Sequence, residues 1–299
     1  MYDQGLSLVY TLAAHTTNVY RMNLLTNGYI LTSDSSYYCK IWNPTNPTSW
    51  ILISTFYCNW VYGAEYINST TVATVTVDTK KIALWTMSTG INIFNISVTK
   101  PCYCLKLLSP SGTMLAVGGG PWLFFFNYRT GIEQSYWTGH TDTIYDLVLI
   151  NSTRLASASL DKTIRIWDIT VIADSRSSLM TLVGHTNYVW MIKLINSNTL
   201  ASASNDSTIR LWDLSSGTLL QTLRNHTTDL QFGVDIYNNE TIVSSSLDQT
   251  FKLWNACTGE VLYSTPTNHQ NSAVVVLNRG ASKFSKLGKN FSIFYLDKF

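Results

Sequence analysis

Charge is what this sequence has least of. Lys, Arg, Asp and Glu make up 13% of its 299 residues, against a usual ~25%. The formal net charge is only +2, so no strong pull toward nucleic acid or an anionic membrane is implied. Cysteine is sparse, odd in number at five, and never in a C-x-x-C arrangement. Neither a disulfide framework nor a zinc knuckle is suggested, and Cys102 and Cys104, two apart on one strand face, read as small buried hydrophobes. Long apolar runs are missing. The most apolar stretch, Met114 to Phe126, has 13 residues and is interrupted by Gly118-Gly119-Gly120-Pro121, whereas a membrane helix needs about 20. Met1-Tyr2-Asp3-Gln4-Gly5 lacks the basic start and apolar core of a signal peptide, so a soluble protein of the cytoplasm or nucleus is expected. Walker A, H-E-x-x-H and G-x-S-x-G sequences are absent as well. No phosphate, zinc or serine-hydrolase site is signalled, and no cofactor is expected.

What is present is aromatic and apolar. The chain holds 10 Trp, 17 Tyr and 11 Phe, and 45% of it is hydrophobic. Disordered chains have the opposite composition. Asn-x-Ser/Thr sequons start at Asn68, Asn95, Asn151, Asn205, Asn225, Asn239 and Asn290. With 23 Asn and 69 Ser plus Thr, about five would arise by chance, so the excess is uninformative. Arg279, Lys283, Lys286, Lys289 and Lys298 make the C-terminal part mildly basic. A nucleic-acid face would need a denser cluster, and a solvated surface is expected.

The dominant signal is an internal repeat. Gly139-His140-Thr141 through Ile166-Trp167-Asp168 aligns with Gly184-His185-Thr186 through Leu211-Trp212-Asp213, and in both His precedes Trp by 27 residues. A third copy runs from His226 through Ser244 and Asp248 to Trp254, and a fourth opens the chain with His15, Thr32 and Trp42. Weaker copies end at Trp85, Phe126 and Phe294. The anchors are Trp42, Trp85, Phe126, Trp167, Trp212, Trp254 and Phe294, spaced 43, 41, 41, 45, 42 and 40 residues apart. The longest spacing carries a polar insertion from Val171 to Ser178.

Each unit repeats one pattern of short strands. Ile144 to Leu149 alternates as a strand does, Asn151-Ser152-Thr153 reads as a turn, and Leu155 to Ser159 reads as a second strand. A tight turn at Leu160-Asp161-Lys162 leads to a third strand, Thr163 to Trp167, and segments such as Leu219 to Leu223 supply a fourth. Four-stranded units at a period of ~40–45 residues are propeller blades. These residues resemble the WD40-repeat family along the whole chain, with complete Gly-His and Trp-Asp signatures in the fourth and fifth units. The resemblance implies an all-β, seven-bladed propeller of four-stranded antiparallel blades, as in G protein β-subunits. It also implies one domain over residues 1–299, closed by Leu6 to Leu12 acting as the outer strand of the last blade.

His140, Ser157 and Asp161 look like a nucleophilic triad, as do His185, Ser202 and Asp206, and His226, Ser244 and Asp248. A catalytic site is built once, so a constellation repeated in every strong unit points to structure. In the family pattern these residues join Trp167, Trp212 and Trp254 as hydrogen-bonded tetrads. The second unit departs, with Tyr57 near the His place, Val75 for Ser and Thr79 for Asp. In the third, Phe126, Ala116 and Gly120 stand for Trp, Ser and Asp. In the seventh, Phe294 and Gly288 stand for Trp and Asp.

In this family one propeller face binds partners. The residues starting each innermost strand are Tyr20, Tyr62, Tyr103, Tyr145, Trp190, Gln231 and Val274. Five of those seven are aromatic in a chain that is 13% aromatic, where about one would be expected. Two residues earlier stand Trp60, Tyr188 and Asp229. Tyr and Trp are favoured at interfaces because they bury area and keep a polar tip. The competing reading is that Tyr favours strand starts and that some rings fill the channel mouth. Asp78, Asp142 and Asp229 could pair with a basic residue of a peptide, although Asp is common in turns.

The expected function is a non-catalytic interaction scaffold that binds a protein or peptide on this face, itself a monomeric propeller within an assembly. Two alternatives are carried. One is a recognition domain of a larger signalling protein. The other is a propeller enzyme with a site at the channel mouth, for which no convergent polar cluster outside the repeat is found.

Overall fold

The computed structural model describes residues 6–12, 15, 17, 19–46, 49–109, 112–172, 177–230, 233–266, 275–276, 284–286 and 291–296; for 6–12, 19–21, 45–46, 49 and 275 onward it describes backbone alone. Strand β1 is Leu6–Leu12. The first blade comprises β2 (Val19–Leu24), β3 (Ile30–Asp34), β4 (Tyr38–Asn46) and β5 (Ser49–Tyr57). The second holds β6 (Val61–Asn68), β7 (Thr71–Thr76), β8 (Lys81–Thr86) and β9 (Asn92–Ser97). The third holds β10 (Cys104–Leu107), β11 (Met114–Gly119), β12 (Trp122–Asn127) and β13 (Ile132–Trp137). The fourth holds β14 (Ile144–Asn151), β15 (Arg154–Ser159), β16 (Ile164–Asp168) and β17 (Met180–Leu182). The fifth holds β18 (Val189–Asn196), β19 (Thr199–Ser204), β20 (Thr208–Asp213) and β21 (Leu219–Arg224). The sixth holds β22 (Val234–Ile236), β23 (Thr241–Ser245), β24 (Thr250–Asn255) and β25 (Val261–Pro266).

The expectation of a seven-bladed propeller is corrected here: among the described residues the structure shows six blades of four strands each. Five apolar clusters fill the five interfaces between these six successive blades, and that packing is what makes a sheet a blade. The ends of the chain form a further four-stranded ladder. In it β1 runs beside β28 (Phe291–Leu296), followed by β27 (Phe284–Lys286) and β26 (Val275–Val276). It is described by backbone pairing alone, and β26 keeps two residues and β27 three. The side chain of Phe294 is not described, and Gly288 and Val274 lie outside the described residues.

The strands form for reasons visible in their residues. The second strands are rich in β-branched or small side chains and are buried on both faces: β7 (Thr71–Thr76) and β3 (Ile30–Asp34) are buried throughout. A strand enclosed between two neighbouring blades has little room for charge, which accounts for the low ionic content. Asparagine side chains cap the turns between first and second strands: Asn68 Oδ1 accepts from Thr70 N at 3.0 Å and Asn151 Oδ1 from Thr153 N at 2.9 Å. The turn after the third strand relies on Gly90, Gly131, Gly217 and Gly259, with φ of 68°, 72°, 74° and 79°. Register breaks recur beside the anchors, at Ile41/Trp42, Leu84/Trp85, Phe125/Phe126, Leu211/Trp212 and Leu253/Trp254. Each leaves one extra residue on the outer strand, as a β-bulge does.

The expectation of no disulfide is also corrected, while Cys102 and Cys104 are free and buried. Cys39 and Cys58 form a disulfide with Cα atoms 5.9 Å apart, leaving Cys102, Cys104 and Cys257 free. The hairpin of β4 and β5 explains the pairing. Tyr38 lies opposite Tyr57 and Cys39 opposite Phe56, so Cys58 falls diagonally across from Cys39, within disulfide reach.

Candidate functional site

Four tetrads lie inside the blades. His140 Nδ1 is 2.7 Å from Asp161 Oδ2, its Nε2 is 2.7 Å from Ser157 Oγ, and Trp167 Nε1 donates to Ser157 Oγ at 2.8 Å. The same three links join His185, Asp206, Ser202 and Trp212, and His226, Asp248, Ser244 and Trp254. One proton arrangement satisfies every group. The indole donates to the hydroxyl, the hydroxyl donates to Nε2, and Nδ1–H donates to the carboxylate. Thr163, Thr208 and Thr250 each add a hydroxyl donor to the carboxylate at 2.6 Å. Ser157, Ser202 and Ser244 are fully buried, so these hydroxyls have no face open to a substrate carbonyl.

The first blade holds a tetrad that uses Thr32: His15 contacts Asp34 at 2.7 Å and Thr32 at 2.8 Å, and Trp42 donates to Thr32 at 2.9 Å. Asp34 was not marked by the repeat because it stands two residues after Thr32, whereas Asp161 stands four after Ser157. In the second blade Trp85 Nε1 donates to Thr74 Oγ1 at 2.8 Å. Thr74, rather than Val75, therefore holds the hydroxyl place, since the following turn is one residue longer. In the third blade Leu115 lies opposite Phe126 as Leu155 lies opposite Trp167. That register puts Val117, rather than Ala116, at the Ser place, and Phe126 is buried with no polar tetrad to join.

Burial holds the imidazoles of His15, His185 and His226 below the ordinary value of 6.5, against the raising effect of their Asp partners. Burial pushes Asp161 and Asp206 upward, but the hydrogen bonds from His140 and Thr163, and from His185 and Thr208, outweigh it and lower both. The signs give a pH prediction. Below 6.5 the unfolded chain binds protons that the folded imidazoles refuse, so stability is full above that value and falls as pH drops through it. The carboxylates then remove further stability below ~4, as pH descends toward their folded values. The melting temperature is expected to be level from pH 8 to 7 and to fall steadily between pH 6.5 and 4. A flat profile in differential scanning fluorimetry would contradict the neutral-imidazole assignment.

The aromatic residues at the innermost strands come together on one face. Tyr62, Tyr103 and Tyr145 form a triangle, with ring centroids 5.2 Å apart for Tyr62–Tyr103, 4.7 Å for Tyr103–Tyr145 and 6.4 Å for Tyr62–Tyr145. Trp190 meets Tyr145 edge to face at 4.4 Å and Tyr188 meets Trp190 at 6.2 Å. At the other end Trp60 stacks on Tyr62 at 6.2 Å. Edge-to-face pairs are favoured by the ring quadrupole. The triangle fills the space where three first strands converge, while Trp60 and Tyr188 stay exposed at its flanks. Burial raises the Tyr103 phenol, helped by Tyr62, Cys102 and Asp142, so it stays a neutral donor.

Three further rings extend this surface that the strand-start pattern missed. Tyr37 lies 6.5 Å from Trp60 and 6.2 Å from Tyr57, and Tyr38 lies 5.7 Å from Tyr57. Tyr37, Tyr38, Tyr57 and Trp60 are 38%, 45%, 53% and 40% exposed. The available sequence signal was Tyr37-Tyr38 at the tight turn where the fourth, fifth and sixth units carry Lys162-Thr163, Ser207-Thr208 and Gln249-Thr250. Asp142 is exposed and Asp229 half-buried, each accepting a backbone-directed bond, from Ser159 Oγ and Leu247 N. Asp78 is exposed. For Tyr20 only backbone is described, and Gln231 lies outside the described residues. Among the described residues no group of three or more His, Cys, Asp or Glu could hold a metal ion.

The family model "WD domain, G-beta repeat" matches residues 131–168, 176–213 and 217–255. The chain carries WD40 repeats. A solved structure, the WD40 beta propeller domain of Doa1, superposes with a TM-score of 0.79 over 99% of this chain and 98% of that one, at 17% identity. That likeness shows the fold. "Protein SPA1-RELATED 3" of Arabidopsis thaliana is 28% identical over 32% of this chain, and "E3 ubiquitin-protein ligase COP1" of Pisum sativum is 28% identical over 31%. The matches cover 12% and 14% of those relatives, so they speak for a short shared stretch alone. The WD40 units matched by the family model are the fourth, fifth and sixth blades, where the tetrads are complete.

Proposed function

We propose that this WD40 propeller is a non-catalytic scaffold that binds a protein or peptide through its aromatic face. The unbroken chain of ring contacts from Tyr38 to Tyr188 carries the reading. Its inner rings are braced against each other and its outer rings are exposed, the pattern of anchors that bind with little ordering cost. The sealed Ser hydroxyls favour a scaffold over an enzyme. A recognition role inside a larger signalling protein is the second reading. It is favoured by the resemblance to a stretch of E3 ubiquitin-protein ligase COP1, of which the match spans 14%.

The test uses Trp60→Ala with Tyr188→Ala, both exposed, alongside Tyr145→Ala with Trp190→Ala. At about 2 kcal/mol for each anchor ring, partner recovery in a pull-down is expected to drop at least ~30-fold while far-UV circular dichroism is unchanged for the first pair. Equal recovery by wild type and both pairs would overturn the reading.

A further inference from the structure

The Cys39–Cys58 bond lies directly under the exposed rings. Cys39 follows Tyr38, Cys58 follows Tyr57, and Trp60 comes two residues later. Both cysteines are buried, at 0% and 1%, while the four rings above them face solvent. Two non-glycine residues in the left-handed region bracket the pair, Tyr37 at φ 67° and Asn59 at φ 59°. Tyr37 shares its turn place with Lys162, Ser207 and Gln249, which are left-handed too, whereas Asn59 directly follows Cys58 and is particular to this hairpin. Cys58 N donates to Tyr37 O at 2.9 Å, and the disulfide crosses the same two strand ends. Exposed rings gain little from burial, so this end of the hairpin depends on its cross-links more than the blade centre does.

We propose that the Cys39–Cys58 pair is an oxidation-dependent latch for the surface formed by Tyr37, Tyr38, Tyr57 and Trp60. The disulfide form presents the four rings as one array, and the dithiol form releases the Tyr57–Trp60 segment. Closing the latch converts two thiols to one S–S bond and passes two electrons and two protons to a small-molecule disulfide. One cysteine thiolate attacks that disulfide and expels a thiol. The second cysteine thiolate then attacks the mixed disulfide and expels the other. Because both sulfurs are buried, exchange proceeds while the end of β5 is open, and the closed bond is shielded from thiols. The consequence for binding rests on the recognition reading above; the latch itself rests on the hairpin.

The full chain, treated with oxidised glutathione or with dithiothreitol, is titrated for thiols in denaturant and followed by hydrogen exchange. Three thiols are expected in the oxidised form, those of Cys102, Cys104 and Cys257, and five after reduction. Amides in 37–40 and 56–62 are expected to exchange roughly ten-fold faster in the reduced form and in a Cys39→Ser, Cys58→Ser variant. Peptides within 144–213 should be unchanged and serve as the folding control. If the variant fails to fold, reduced wild type supplies the comparison. Five thiols after oxidation, or equal exchange in the two forms, would overturn the latch. Faster exchange on reduction together with undiminished recovery by both the Trp60→Ala, Tyr188→Ala and the Tyr145→Ala, Trp190→Ala proteins would leave the latch standing and remove the recognition reading.

Discussion

Trp212→Ala is expected to destabilise the protein by ~3–5 kcal/mol. The indole is 1% exposed and packs between the fourth and fifth blades with Ile164, Ile166, Leu182 and Val189. Removing it opens a cavity that two rigid sheets cannot close. It also deprives Ser202 Oγ of its donor at 2.8 Å. Asp206→Ala separates the two contributions. It leaves the packing intact but strips His185, Thr208 and the Thr186 amide of their acceptor, with an expected cost of roughly 1–3 kcal/mol. Urea melts of the two variants should differ by about 2 kcal/mol, the gap between the middles of the two ranges. If Asp206→Ala melts with wild type, the tetrad does not stabilise the blade. If Trp212→Ala costs no more than Asp206→Ala, the hydrogen bonds rather than the packing dominate.

Gly233→Ala is the second large effect. A Cβ there would collide with the carbonyl and hydroxyl oxygens of Ser245, whose amide donates to Gly233 O at 2.8 Å. The obstruction is backbone, so no rotamer change relieves it. Overpacking of this kind costs about 1–3 kcal/mol or more. Separation of β22 from β23 would then expose the Val234 and Ile242 side of the fifth interface. Lower soluble yield and an earlier urea midpoint are expected for Gly233→Ala. Gly28→Ala provides the contrast: nothing lies within 4 Å of its Cβ, and its φ of 84° leaves only backbone strain, worth about 1 kcal/mol. Equal loss for both would show that crowding at Ser245 is relieved elsewhere.

The strong repeats were legible because their residues are fixed by one hydrogen-bond geometry. His185, Ser202, Asp206 and Trp212 must keep their spacing for the side chains to meet. The weaker units have looser constraints. Thr74 and Val117 were displaced by one residue because tight turns vary in length without disturbing strand register. Asp34 was missed because it sits two places earlier in a turn of the same length as that of the fourth blade. The number of like blades was overcounted because anchor spacing measures chain length, whereas a blade is defined by packing between its faces. The disulfide escaped notice since a 19-residue separation becomes a diagonal neighbour only once the β4–β5 register is known. Tyr62, Tyr103 and Tyr145 were placed by their strand starts. Tyr37, Tyr38 and Tyr57 belong to the surface through their neighbours across a hairpin, which spacing along the chain does not encode.

The apolar clusters between blades bear on divisibility. Residues 131–255, where the family model finds its three repeats, have the appearance of a detachable module. Their cores are shared ones. Ile144, Leu147 and Trp167 are covered by Phe125 and Leu123 from outside that stretch, and Val261 from beyond Asn255 packs against the cluster of Ile236 and Trp254. Cutting the chain at either border would bare half of an interface while leaving every repeat signature intact. The most recognisable part of the sequence is therefore not a part that can be taken out.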